Sequence, residues 1–152
     1  GVNEAGIIGG LLMIGGIVGV FILPPISDRM RKRKPVFMAG LIAMIPFLLL
    51  FAFINNFVVL AIDTFLLGLF MMGLLPIALQ YGTEIFYPAP EGTSGGLMTL
   101  AGQLSVVAIT GMGLSNEATG SFTLSLIILV VAMAVSAGLL GLMKESKLIT
   151  AK

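Results

Sequence analysis

The sequence predicts an all-α membrane protein with five transmembrane helices. Of its 152 residues, 58% are hydrophobic and only 10% are charged, whereas an ordinary soluble domain carries roughly a quarter charged residues. The mean hydropathy is +1.14. A soluble fold of this size could not bury so much apolar surface, so lipid is the expected solvent. The chain begins with Gly1 rather than Met, and we therefore expect it to be a piece of a longer protein.

Five apolar stretches are long enough to cross a hydrocarbon core of about 30 Å, which takes about 20 residues in a helix. The predicted spans are about 5–26, 35–54, 57–81, 92–114 and 121–143. Residues that end or start helices separate them. Pro24, Pro25 and Pro35 bracket a basic loop, 27–34, and are expected at the ends of the first two helices. The later boundaries are Asn55-Asn56, a loop with Pro88 and Pro90, the polar turn 115–117, and a Lys-bearing tail.

All 8 Lys and Arg residues fall on one predicted side of the membrane. They are Arg29, Arg31, Lys32, Arg33 and Lys34 in the basic loop, and Lys144, Lys147 and Lys152 after the fifth span. By the positive-inside rule, the loop and the tail are expected in the cytoplasm. We expect an integral protein of the plasma membrane, or of a cell inner membrane.

The missing residue types exclude several kinds of chemistry. With no Cys and no His, the chain offers no thiolate metal site, no Cys nucleophile and no imidazole acid or base. We expect no enzyme, no metal and no cofactor. The net charge of +1 gives no reason to expect a nucleic-acid partner. A P-loop motif is absent, so this segment is not expected to use ATP directly.

Glycines dominate the first span. Gly6 with Gly10, and Gly15 with Gly19, form pairs of small residues that let a second helix approach closely. The second and fifth spans carry almost no polar side chains and are interpreted as lipid-facing supports. The polar residues are concentrated in the third and fourth spans.

Gln103 lies at the midpoint of the fourth predicted span. Helical periodicity places Thr99, Gln103 and Thr110 on one face. A glutamine amide at this depth needs hydrogen-bond partners. Two interpretations remain open: a hydrogen bond between helices, or contact with a transported substrate.

Asp63 lies in the second turn of the third span. A carboxylate within a membrane is costly and is a functional candidate by default, here for ion coupling. The alternative is an interfacial aspartate favoured by the helix N-terminus. Glu84 lies at the other end of the same span, about 31 Å away along the helix, so the two carboxylates cannot form a catalytic pair.

The basic loop resembles a motif of the major facilitator superfamily, G-x-L-x-D-R-x-G-R-K, which joins the second and third helices of each six-helix half. Asp28 and Arg29 match the motif, Pro24 replaces its first Gly, and Arg31 replaces its second. The resemblance implies that Asp28 and Arg29 contribute to a cytoplasmic gate. The alternative is a plain positive-inside anchor. On this basis the five spans form a partial six-helix half-bundle that lacks its first helix.

A second motif, E-I-F-Y-P-A-P-E-G-T-S-G-G-L over residues 84–97, is similar to the feline leukaemia virus subgroup C receptor-related family. That resemblance implies transport of choline-like or haem-related solutes, with Gln103 in the substrate cavity. Glu84 and Glu91 are expected to pair with basic loops of the missing N-terminal half at the inner gate, or else to be solvated loop carboxylates.

The leading functional hypothesis is secondary active or facilitative transport of a small organic solute by alternating access. One alternative is a facilitator-type efflux pump for drugs or metabolites. An alternative from another class is a non-transporting membrane receptor or subunit. The expected partners are the solute, the lipid bilayer, and the missing N-terminal half and seventh helix of the same chain.

Overall fold

The computed structural model describes residues 2–120 and 122–145, so Ser121, Lys147 and Lys152 lie outside the described residues. Its helices are α1 (Val2–Met30), α2 (Arg33–Phe53), α3 (Phe57–Ile85), α4 (Glu91–Gln103), α5 (Ser105–Thr119) and α6 (Thr123–Leu142). The described ranges contain no strand. Five stretches are long and apolar enough to cross a membrane, and α4 with α5 forms one of them. The prediction of an all-α membrane protein with five spans is confirmed.

The loop between α1 and α2 is much shorter than the predicted basic loop, 27–34. Pro24 and Pro25 lie inside α1 rather than at its end, and the residues between α1 and α2 are only 31–32. The expectation that these prolines end the first helix was therefore wrong. Helix-breaking residues are tolerated in membrane helices because neighbouring groups compensate the backbone locally. Arg31 follows the end of α1 with φ of 49°, the left-handed conformation that often ends a helix.

The fourth predicted span is interrupted at its centre. Leu104 separates α4 from α5, and the backbone N–H groups of Leu104 and Val107 donate to carbonyls only three residues back, at 3.2 and 3.1 Å. This tightened turn follows Gln103 directly. The apolar run predicts one continuous helix over 92–114, because no Pro or polar cluster marks a break there.

Close contact between α1 and α3 depends on glycines. A side chain added at Gly15 or Gly19 would collide with backbone carbonyls of α3, and one added at Gly68 would collide with a carbonyl of α1. The predicted packing role of Gly15 and Gly19 is therefore confirmed. By contrast, a side chain added at Gly6 or Gly10 would meet nothing within 4 Å in the described part of the chain.

The apolar core lies between α2, α3 and α6. Met44 and Leu48 of α2 are buried with Leu67, Leu74 and Ile77 of α3, and side chains of α6 pack against them. The span formed by α4 and α5 differs, because none of its 18 most apolar consecutive residues is buried. Its contact with α3 includes Gly82, where an added side chain would overlap Met98. This span therefore presents nearly all its surface to surroundings outside the described chain.

Candidate functional site

Charged side chains converge on Arg33 where α1, α2 and α3 end on the side of the basic loop. The Arg33 Nη1 atom donates to Asp28 Oδ1 at 2.9 Å, and Nε donates to Glu84 Oε1 at 2.8 Å. The Arg33 side chain is only 5% exposed. A planar guanidinium can hold two carboxylates at once in fixed directions. Arg33 therefore links the end of α1 to the end of α3 from the first turn of α2.

The segment after α6 joins the same cluster. Glu145 Oε1 accepts from the backbone N–H groups of Arg33 and Lys34, at 3.2 and 3.1 Å. A carboxylate is stabilised there, because the first N–H groups of a helix have no partner within it and carry partial positive charge. In return, Lys34 Nζ donates to carbonyls at the end of α6, including that of Gly141 at 2.9 Å. We call Asp28, Arg33, Glu84 and Glu145 the Arg33 cluster.

A second bond fixes the end of α6 to α3. The Tyr81 hydroxyl donates to the backbone carbonyl of Lys144 at 2.6 Å, and Tyr81 itself is buried. On the α1 side, the fully buried Ser27 hydroxyl donates to the Lys32 carbonyl at 3.5 Å. Side chains near the helix ends thus connect α1, α2, α3 and α6 to one another.

The four predicted gating residues differ in their surroundings. Asp28 and Glu84 belong to the Arg33 cluster, with side chains 57% and 15% exposed. Arg29 is exposed and forms no salt bridge to a described carboxylate, and Glu91 is exposed in the first turn of α4. Glu84 Oε2 is buried and has no hydrogen-bond partner among the described residues. The gating roles themselves stay predictions.

The predicted substrate-binding residues lie on the exposed span formed by α4 and α5. Gln103 is the last residue of α4, directly before the break, and its side chain is exposed. Thr99 and Thr110 are exposed too, and their hydroxyls donate to the carbonyls of Gly95 and Val106 at 2.8 and 3.0 Å. Leu104 keeps helical angles, with φ of −62° and ψ of −19°, so the helix is tightened here and not unwound. Binding by these three residues stays a prediction.

Asp63 is buried in the second turn of α3, with 4% of its surface exposed. Neither carboxylate oxygen has a hydrogen-bond partner in the described part of the chain. The N-terminus of α3 is capped instead by Asn56, whose side chain accepts from the N–H groups of Val58 and Val59 at 3.0 and 3.4 Å. The burial argues against a simple interfacial aspartate, because such a residue would face water.

The position of Asp63 on its helix separates it from the substrate-binding candidates. It is four residues before Leu67, on the stripe of α3 that continues through Leu74 and Ile77 into the apolar core. Ser125, on α6, is 2% exposed, and its hydroxyl also lacks a partner among the described residues. Among those residues, no group of three or more His, Cys, Asp or Glu side chains could hold a metal ion.

Sequence reasoning missed the central residues of the cluster. The sequence alone marks Arg33 only as one of five cations in the basic loop and gives Glu145 no role. Glu145 is the one acidic residue after the fifth span, which places a single carboxylate beside the basic loop. That isolation was the signal that could have found it.

Known proteins similar to this chain are membrane transporters. No protein-family profile matches the chain. It is 32% identical over 130 residues, 82% of its length, to an uncharacterized MFS-type transporter of Caenorhabditis elegans. It is 32% identical over 110 residues, 70% of its length, to the choline/ethanolamine transporter flvcr2b of Danio rerio. It is 34% identical over 104 residues, 66% of its length, to solute carrier family 49 member A3 of Xenopus tropicalis.

The matched part is only 22% or 23% of the length of these relatives. The similarity therefore concerns one segment of each transporter and not the whole molecule. Within that limit, the names of the relatives agree with both sequence motifs, the D-R loop at Asp28-Arg29 and the segment from Glu84 to Leu97. The chain belongs to the major facilitator superfamily, as a C-terminal-half segment that resembles the FLVCR choline/ethanolamine transporters.

Proposed function

We propose that this chain forms part of the moving half of a secondary active or facilitative transporter for a small organic solute. The proposal rests chiefly on the span formed by α4 and α5, which carries Gln103 at its centre and has an almost entirely exposed surface. A polar amide at the centre of a membrane span needs partners that lipid does not provide. A solute or the rest of the transporter would supply them.

The five spans would be the eighth to the twelfth of a twelve-helix carrier, with the seventh helix and the N-terminal half outside this chain. The charge distribution supports an orientation in which the Arg33 cluster and the tail after α6 face the cytoplasm. The expected location is the plasma membrane, or a cell inner membrane. Transport, rather than enzymatic catalysis, is the proposed activity.

A choline-like or ethanolamine-like solute is the proposed substrate class, because those solutes are named for the relative from Danio rerio. Gln103 would contact the solute through its amide, with Thr99 and Thr110 further along the same span. A haem-related solute stays an alternative that comes from the family resemblance alone.

The Arg33 cluster is the proposed element of the inner gate. Asp28 and Glu84 are already held by Arg33 at 2.9 and 2.8 Å, and Arg29 and Glu91 are exposed nearby in sequence. We propose that Arg29 and Glu91 exchange contacts with the missing half when the gate closes, while Asp28 and Glu84, held by Arg33, keep the helix ends together. Glu84 would then pair with Arg33 of this half before it makes any contact with the missing half.

Asp63 is the proposed ion-coupling residue. Its buried and unpartnered carboxylate would be costly as a lone charge. A bound proton or cation would remove that cost, and its release would couple to a change of conformation. Because Asp63 lies on the stripe facing the apolar core, the coupling would act through helix packing and not by direct contact with the solute.

The test uses the full-length protein that contains this segment, reconstituted in proteoliposomes with radiolabelled choline. Replacing Gln103 by Ala is expected to raise KM by about tenfold, since a hydrogen bond to a cationic or polar solute contributes about 1–1.5 kcal/mol. Ser136→Ala is the matched control, because Ser136 is exposed on α6 and donates to its own helix at 2.8 Å. Equal KM values for wild type and Gln103→Ala would remove Gln103 from the site.

The alternatives give different results in the same experiment. An efflux pump for drugs or metabolites would show no choline flux but would transport lipophilic cations. A receptor or subunit would show no flux of either kind, although the protein is folded. An equal loss of choline uptake in Gln103→Ala and Ser136→Ala would show that the effect is not specific to Gln103 and would contradict the site assignment.

A further inference from the structure

An apolar groove lies between α1, α2 and α3, on the side of the basic loop. Its volume is about 520 Å³. The residues that line it carry no charge: Leu23, Met30, Pro35, Val36, Ala39, Gly40, Ala43, Phe70 and Leu74. No residue proposed for transport is among them, so the groove is separate from the candidate site.

The groove runs from the membrane surface toward the centre of one leaflet. Along α2 it extends from Pro35 to Ala43, which is about 12 Å at 1.5 Å per residue. One leaflet of a bilayer contributes about 15 Å of hydrocarbon. The groove is therefore nearly as deep as one leaflet, and Ala39, at its middle, is exposed.

Cations stand at the mouth of the groove. Met30 and Pro35 line its outer end, and the residues between them include Arg31 and Lys32, which are both exposed. Neither forms a salt bridge to a carboxylate in the described ranges, because the carboxylates of Asp28 and Glu84 are occupied by Arg33. An anion at this position would therefore meet two cations that protein groups have not neutralised.

The charges at the mouth favour an anionic lipid over another helix as the occupant. An apolar helix packed on the groove would leave Arg31 and Lys32 without an anion. A flexible acyl chain can follow a narrow apolar cleft while its headgroup stays at the surface. A charged headgroup at the mouth and a chain in the cleft would satisfy both features together.

We propose that this groove binds one anionic phospholipid from the leaflet next to the basic loop, with its headgroup at Arg31 and Lys32. The proposal requires only that the chain spans a membrane, and it does not rest on the proposed transport activity. Each basic residue at a membrane surface strengthens the attraction to anionic lipid by a factor of about five.

The test measures lipid binding to the purified full-length protein in detergent by native mass spectrometry, with phosphatidylserine and phosphatidylcholine as probes. Wild type is expected to prefer phosphatidylserine. The double variant Arg31→Gln/Lys32→Gln should weaken phosphatidylserine binding by about 30-fold, to the level of phosphatidylcholine. The charge-keeping variant Arg31→Lys/Lys32→Arg should retain the preference.

A second pair of variants tests the groove itself. Ala39→Phe fills the cleft and should weaken binding of both lipids, whereas Ala134→Phe, at an exposed position of α6 outside the groove, should not. The proposal is overturned if the double Gln variant keeps its phosphatidylserine affinity within twofold. It is also overturned if Ala39→Phe folds and leaves both affinities unchanged, because the cleft would then not hold the lipid chain. Should Ala39→Phe not fold, the charge variants decide.

Discussion

Arg33 offers the sharpest test of how the helix ends are held together. Its guanidinium is 5% exposed and serves two carboxylates, Asp28 and Glu84. Its backbone N–H donates to a third carboxylate, that of Glu145. We consider the change Arg33→Met, which keeps much of the apolar stem but removes the charge and both donors.

The expected cost follows from the exposure of each partner. Glu84 is 15% exposed and its second oxygen already lacks a partner among the described residues, so it becomes a nearly buried and uncompensated carboxylate. Breaking one partner from a buried ion pair costs about 3–5 kcal/mol. Asp28 is 57% exposed, so water replaces its partner and it adds at most about 1 kcal/mol. We expect a total loss of about 3–5 kcal/mol in the free energy of unfolding.

Replacing both partners should behave differently from replacing one. In Arg33→Met/Glu84→Met the uncompensated carboxylate is gone, and two apolar side chains of suitable size fill the site. Such replacements of a buried pair are often neutral or stabilising. The double-mutant cycle should therefore give a coupling free energy of at least about 3 kcal/mol between Arg33 and Glu84, because the double variant recovers the loss seen in Arg33→Met.

The measurement is reversible denaturant unfolding of the full-length protein in mixed micelles, followed by circular dichroism. Arg29→Met is the matched control, because Arg29 belongs to the same basic run but is exposed and has no described carboxylate partner. It should change stability by less than about 0.5 kcal/mol. If Arg33→Met and Arg29→Met lose the same stability, the cluster contributes nothing beyond general charge, and the reasoning fails.

Three further predictions concern backbone contacts and the buried carboxylate. Gly19→Ala should destabilise the protein by about 1–3 kcal/mol by pushing α1 away from α3, whereas Gly6→Ala should be neutral or slightly stabilising; equal melting temperatures would contradict this. Arg31→Gly should raise stability by about 0.5–1 kcal/mol, because glycine adopts positive φ without strain; a lower melting temperature would refute it. Asp63→Asn should leave the fold intact but abolish any dependence of uptake on a proton or sodium gradient, and an unchanged ion dependence would remove Asp63 from coupling.

The spans could be predicted from the sequence because apolar length alone decides them. A membrane helix needs about 20 apolar residues whatever its partners are, and the structure finds five such stretches. The helix ends were less predictable. The rule that proline ends a helix failed at Pro24 and Pro25, because α1 continues to Met30 and brings Asp28 within reach of Arg33. The D-R motif therefore lies in the last turn of α1, and not in the loop that its charged composition suggested.

The Arg33 cluster could not be found from local sequence, because its members come from three separated segments of the chain. Arg33 and Glu84 are 51 residues apart, and the N–H of Arg33 and Glu145 are 112 apart. Five cations lie within six residues, and nothing in the sequence shows that Arg33 is the one that pairs with Asp28 and Glu84. Arg31 is the exception, since the superfamily motif has Gly there and the structure shows the positive φ that explains it.

The contacts join four of the described helices to one another and leave one span outside this group, and this arrangement bears on mechanism. The Arg33 cluster and the bond from Tyr81 join the ends of α1, α2, α3 and α6, and the glycine contacts bind α1 to α3 along their length. The span formed by α4 and α5 takes no part in those bonds and has almost no buried surface. In an alternating-access carrier one half moves as a unit against the other. We infer that the four joined helices make that unit rigid, while α4 and α5 provide the surface that contacts the other half. A variant that loosens the Arg33 cluster should therefore slow transport without changing the affinity for solute, whereas Gln103→Ala should change the affinity first.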